Sequence, residues 1–158
     1  MNLYLIRHSI AENISINKKD FDRELTAEGK TVIHNSVKIW KNYIQNIDAV
    51  LTSPLIRAVQ TSEIILSEFQ PTPILMKDNN LGTGSRTSDL IELLNTLEYE
   101  NVAVVGHQPD LSIHIQNFCT SGNLSIYFPP AAIAGIEFDN VIKYDKGKLL
   151  FLIPPVHI

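Results

Sequence analysis

The sequence predicts a three-layer α/β/α domain with a mostly parallel central sheet of about six strands. Two patterns lead there. Short apolar runs of strand length alternate with stretches whose apolar residues recur every three or four positions, as in parallel strands joined by crossover helices. The last third breaks this alternation, with two apolar runs and no helical pattern between them, which predicts an antiparallel hairpin. The chain has 158 residues, 44% hydrophobic and 19% charged. That size and balance suit one domain spanning 1–158 with an ample core.

Each element has its own signal. "NLYLI" (2–6), "DAVLT" (48–52), "PILM" (73–76) and "NVAVVG" (101–106) read as largely buried strands. Thr26 is a candidate N-cap for a first helix whose stripe is Ile33, Val37, Trp40 and Ile44. Ser53 followed by Pro54 predicts a cap and a first helical turn, with Leu55, Val59, Leu66 and Phe69 as the apolar face. Asp89 with Glu92 resembles a capping box for a helix burying Leu90, Leu93, Leu94 and Leu97. A fourth helix is expected from Pro109, burying Leu111, Ile115 and Phe118. "YFPPAAIAGIEF" (127–138) and "GKLLFLI" (147–153) supply the last two strands, with a turn expected near Asp145–Gly147.

Bulk properties narrow the function. Net charge is −4 and the pI near 5.7, which argues against a broad nucleic-acid or anionic-membrane surface. No apolar run approaches the roughly 20 residues of a membrane span, and no signal-peptide pattern precedes the first strand. Cys119 is the single cysteine, and no Cys/His cluster has zinc spacing. The expectation is a cytoplasmic protein that needs no cofactor and no metal. "NKKDFDRE" (17–24) reads as a solvated loop whose lysines are available to an acidic partner.

The informative polar residues sit where strands end. In an open α/β sheet, ligands bind beyond the carboxyl ends of the parallel strands. The first strand ends in Arg7 and His8. The second ends in Thr52 and Ser53, with Arg57 one helical turn beyond. The fourth ends in Gly106, His107 and Gln108, directly before a helix. Two arginines, two histidines and two helix N-termini therefore converge on one sheet edge. Guanidinium groups match phosphoryl oxygens and stay charged, and helix N-termini add free N–H groups. An imidazole there serves as donor or nucleophile.

These residues also carry a resemblance. "LIRHS" (5–9) resembles the Arg-His-Gly signature of the histidine phosphatase superfamily, the phosphoglycerate mutase-like enzymes. "TSPLIRAVQTSEII" (52–65) resembles its Ser-Pro-x-x-Arg-Ala-x-Gln-Thr segment, and "VVGHQPDLS" (104–112) its second-histidine motif. "RELTAEGK" (23–30) resembles its usual lead-in to the first helix. Order and spacing agree over roughly residues 2–121, and the motif forms look most like the SixA-type phosphohistidine phosphatases. The resemblance implies the phosphoglycerate mutase-like fold and a metal-independent phosphatase. It implies that His8 attacks phosphorus and is transiently phosphorylated, while Arg7, Arg57 and His107 bind the phosphoryl oxygens. Ser53 and Ser9 join them as candidate substrate-binding residues.

Two positions depart from the family pattern. Ser9 stands where glycine is usual, and a demanding φ there would carry strain. Larger members place a glutamate acid in the loop after the third strand, where this chain has "KDNNLGTGS" (77–85). Asn80 aligns with that acid, and Asp78 lies two residues away. A site without a strong acid favours phosphohistidine, whose imidazole leaves with little assistance, over alkyl phosphoesters, which gain ~10²–10⁴-fold from a general acid. The short loop also leaves no room for a lid, so an open mouth is expected. The implied partner is a phosphorylated protein, either a phosphotransfer domain or a phosphotransferase component. The competing readings are a small-molecule phosphomonoesterase with Asp78 as acid, and a phosphate-binding module without catalysis. Arg86 either approaches the phosphate or is solvated. His114 is expected as a packed core histidine, His34 as the mark of a helix boundary, Cys119 as structural, and His157 as a tail residue without a motif.

Overall fold

The central strand β1 (Asn2–Arg7) is apolar at every interior position because it is covered on both faces. Leu3 and Leu5 face one way, while Tyr4 and Ile6 face the other. A computed structural model of the protein describes residues 1–156. His157 lies outside the described residues. The further elements are α1 (Ala27–Trp40), β2 (Ala49–Thr52), α2 (Ile56–Glu68), β3 (Ile74–Lys77), α3 (Thr87–Asn95), β4 (Asn101–Gly106), α4 (Asp110–Cys119), β5 (Ile133–Glu137) and β6 (Lys148–Ile153). Two single 3-10 turns occur at Asp20–Asp22 and Asn79–Leu81.

The six strands form one sheet in the order β3-β2-β4-β1-β5-β6. β1 to β4 are mutually parallel, β5 runs antiparallel to β1, and β6 antiparallel to β5. α1 and α2 cover the Tyr4 face through Ile33, Val37, Trp40, Ala58 and Ile65. α3 and α4 cover the Leu5 face through Leu90, Leu94, Leu111, Ile115 and Phe118. The result is the three-layer α/β/α arrangement that the alternation predicts.

Several local expectations shift. β3 is an edge strand, so Ile74 is half exposed instead of buried. Ser53 does not cap α2, which starts at Ile56 after Leu55; its buried face is Ala58, Thr61, Ser62 and Ile65, with Val59 and Leu66 only half-buried. α3 starts at Thr87, two residues before the expected box, and Asp89 pairs instead with Arg86 across the first turn at 2.9 Å. Thr26 does cap α1, accepting the Gly29 N–H at 2.9 Å. His34 lies inside that helix, not at its boundary, and contacts Glu68 at 2.9 Å. The β5–β6 hairpin forms, and its turn at Asp145–Gly147 is tied to α4 by bonds to the Asn117 and Phe118 carbonyls.

Candidate active site

Parallel register brings the polar strand exits together. Arg7 is paired with Gly106 across β1 and β4, so His8 and His107 follow side by side. The His8 N–H donates to the Gly106 carbonyl at 3.1 Å, and the two imidazole centroids are 5.1 Å apart. The Ser53 N–H donates to the Val105 carbonyl, which places the β2 exit beside them. The cleft at this edge has a volume of about 370 Å³. Arg7, His8, Arg57 and His107 all line it, with Asp20, Arg23, Thr83 and Gln108.

His8 is held in one tautomer. Its Nδ1 lies 2.7 Å from the Ser9 carbonyl, which only accepts, so Nδ1 carries the hydrogen. Nε2 is then a bare lone pair, and the Arg57 Nε–H donates to it at 3.2 Å. Burial drives the His8 pKa down to about 3, helped by the nearby charges, against the bond to Ser9. The same effect, with Arg57 as a second cause, takes His107 down to about 4. Both rings are neutral near pH 7.

His107 is set by Ser53. Its Nε2 lies 2.7 Å from the Ser53 hydroxyl, which already accepts the Leu55 N–H. Among the described hydrogen bonds Nε2 is the one acceptor within reach of that hydroxyl's proton, an assignment that puts the ring's own hydrogen on Nδ1. That Nδ1 is buried and has no partner among the described residues, and neither has the Arg7 Nε. A phosphoryl oxygen would satisfy such donors, which are otherwise costly to bury. The other end of the Arg7 guanidinium donates to the Phe128 carbonyl at 3.0 Å.

Ser9 is buried but faces away chemically. Its hydroxyl donates to the Gly29 carbonyl at 2.7 Å, and its N–H donates to Thr61. Its φ is not positive, so serine in place of glycine carries no left-handed strain. Its hydroxyl ties β1 to α1, and the residue also lines the cleft.

The loop after β3 holds no acid in the cleft. Asp78 caps the Asn79–Leu81 turn, accepting the Asn80 N–H at 2.8 Å, and faces a separate depression with Asn80 and Arg86. Asp78 therefore does not line the cleft in which the acid of a phosphomonoesterase would act. Arg86 takes the solvated alternative, with its guanidinium on Asp89 and its side chain 74% exposed. The loop itself is pinned from α4, whose Asp110 carboxylate accepts the Gly84 and Ser85 N–H groups. His114 is a core residue, as expected, within reach of Thr87 at 2.8 Å and Ser85 at 3.3 Å. Cys119 is free and half-buried at the end of α4.

Sequence reasoning missed Asp20 and Arg23, which belong to the segment read as solvated loop. The Asp20 carboxylate meets Arg57 Nη2 at 3.2 Å and Arg23 Nη2 at 2.8 Å. Their i, i+3 spacing on a short turn was the available signal. Lys18 is not free for a partner; it pairs with Glu12 and Glu24.

A sequence model of the histidine phosphatase superfamily, branch 1, matches residues 3–80, which hold Arg7, His8, Ser53 and Arg57. The chain belongs to the histidine phosphatase superfamily. As a member it is a phosphatase, a hydrolase of phosphoryl groups. An uncharacterised protein of Picosynechococcus sp. is 36% identical over 118 residues, covering 70% of this chain and 68% of that one. Among solved structures, the protein histidine phosphatase SixA complexed with tungstate is similar at a TM-score of 0.86 and 22% identity, covering 98% of this chain and 97% of that one. The alpha-ribazole phosphatase from Shigella flexneri is similar at a TM-score of 0.69 and 18% identity, covering 95% and 96%. At these identities the likeness is one of fold. Among the described residues, no helix is long and apolar enough to cross a membrane, and no group of three or more His, Cys, Asp or Glu side chains is placed to hold a metal ion.

Proposed function

We propose that this histidine phosphatase hydrolyses phosphohistidine on a partner protein, through a phosphorylated His8. The observation that carries this reading is the His8 tautomer: Nδ1–H is spent on the Ser9 carbonyl, which leaves Nε2 unprotonated in a cleft-lining residue, with the Arg57 Nε–H resting on its lone pair. In this scheme Nε2 attacks phosphorus as the bond to the substrate imidazole breaks. Arg7, Arg57 and His107 bind the equatorial oxygens and stabilise their charge, with positioning and electrostatics supplying most of the rate. Water then attacks phospho-His8, releasing phosphate and restoring the lone pair. Ser53 takes part by orienting His107, whereas Ser9 acts through its carbonyl.

The lining supports phosphohistidine over an alkyl ester. Asp20 is the single carboxylic acid among the residues lining the cleft; burial, the largest single influence, raises its pKa, but the bonds and charges of Arg23 and Arg57 together hold it below the ordinary carboxylate value. An ionised carboxylate has no proton to give an alkoxide, while a departing imidazole needs little help. The open cleft and short loop after β3 suit a side chain projecting from a folded protein, such as a phosphotransfer domain or a phosphotransferase component, in the cytoplasm.

The test is phosphate release from a phosphohistidine-bearing protein and from an activated aryl phosphate, with wild type and His8→Ala. Wild type is expected to turn over both, and the variant to lose at least ~10³-fold on both. An inert wild type would leave a phosphate-binding module; equal turnover by the variant would remove His8 as nucleophile.

A further inference from the structure

Arg57 is held within the protein through all three of its nitrogens. Its Nε–H donates to His8 Nε2 at 3.2 Å, Nη1 to the Asp20 carbonyl at 2.8 Å, and Nη2 to the Asp20 carboxylate at 3.2 Å. Its side chain is only 3% exposed, whereas that of Asp20 is 49% exposed. The other Asp20 oxygen receives Arg23 Nε at 2.9 Å and Nη2 at 2.8 Å. One carboxylate on a 3-10 turn thus bridges two guanidinium groups that line the phosphoryl cleft, at the place an incoming anion would need.

We infer that Asp20 is a specificity-determining residue that acts as an internal counter-ion, competing with the ligand for Arg57 and Arg23. The inference rests on the phosphoryl site proposed above. In charge terms, the cleft carries three guanidiniums, one carboxylate and two neutral imidazoles, so it presents a net charge of about +2 to a ligand. A phosphoryl dianion matches that charge and offers enough oxygens to replace the carboxylate on both arginines. A singly charged ion of similar size replaces it poorly, because the tethered carboxylate is always present at high local concentration. Displacing Asp20 also lets the guanidinium turn from His8 toward the phosphoryl group, which exposes the Nε2 lone pair as the ligand arrives. The half-exposed turn is free to yield: Asp20, Phe21 and Asp22 bury no side chain fully.

A purely structural role makes the opposite prediction. If Asp20 only holds the arginines in place, removing its charge loosens anion binding; if it competes, removal tightens it. The experiment is titration of inorganic phosphate, and of sulfate at a pH where phosphate is largely the dianion, into wild type, Asp20→Asn and Asp20→Glu. Binding is read by calorimetry, and folding is checked by thermal melting. Asp20→Asn is expected to bind phosphate about fivefold more tightly, with Asp20→Glu near wild type. Formate, a small monoanion, should begin to compete with phosphate in Asp20→Asn alone. Weaker or unchanged phosphate binding in Asp20→Asn overturns the counter-ion role and leaves the phosphoryl site standing. Absence of phosphate binding in wild type removes the site and this inference together.

Discussion

Ser53 and His107 form a pair whose chemistry depends on which ring nitrogen carries the hydrogen. The hydroxyl donates to Nε2 and leaves Nδ1–H without a protein partner. Ser53→Ala frees the ring to adopt either tautomer, and phosphoryl binding should suffer in proportion. The expected result is about a tenfold fall in kcat/KM, with the melting temperature nearly unchanged; a fall confined to stability would refute the positioning role. Asp78 gives the contrasting case. Its carboxylate is spent on the Asn80 N–H in a depression apart from the cleft. Steady-state kinetics of Asp78→Asn on an alkyl phosphoester and an aryl phosphate should match wild type within about twofold. Selective loss on the alkyl ester would revive it as an acid.

The contact between α1 and the segment leaving β1 shows how tightly the elements are fitted. Gly29 lies where α1 meets this segment, and a Cβ there would stand 2.0 Å from the Ile10 carbonyl oxygen. The same region holds the Ser9 hydroxyl on the Gly29 carbonyl and the Thr26 N–H on Ile10. Gly29→Ala must therefore push α1 off the segment that carries His8. Urea unfolding should register a loss of roughly 2 kcal/mol or more, with activity falling as well. A near-neutral result would mean that α1 slides without cost. Helix starts were the least legible feature at this level. Ser53 matches a cap by residue type and its hydroxyl accepts the Leu55 N–H, yet the helix starts later, at Ile56, and the hydroxyl also meets His107, 54 positions away, a partner that no local pattern reveals.

Across the whole molecule, three buried imidazoles make stability depend on acid. Burial leads the lowering in each case, taking His8 to about 3 and both His107 and His114 to about 4, from 6.5 in the unfolded chain. Below pH 6.5 the unfolded state gains protons that the folded state refuses. Stability is therefore complete above about pH 6.5 and lost progressively toward pH 4. Thermal melts should be flat from pH 7 to 8 and fall by about 10 °C between pH 6.5 and 5. His114→Gln keeps a hydrogen-bonding group between Thr87 and Ser85 without titrating there, and should flatten that slope by about a third. A slope identical to wild type would show that His114 is not among the groups responsible.

The order of strands and helices, the two-faced burial of β1 and β4, and the convergence of Arg7, His8, Arg57 and His107 were all legible in the residues. Each depends on local periodicity or on the rule that parallel strands end at one edge. Tertiary structure alone decided what each polar atom meets. It placed Asp20 and Arg23 in the cleft, sent Asp78 and Arg86 away from it, and turned the Ser9 hydroxyl to Gly29. These outcomes depend on how loops cross the sheet edge, and loop geometry is set by hydrogen bonds between residues distant in sequence, such as Asp110 with Gly84. A one-dimensional pattern shows which side chains reach an edge; only the folded chain determines which neighbours their donors and acceptors find there.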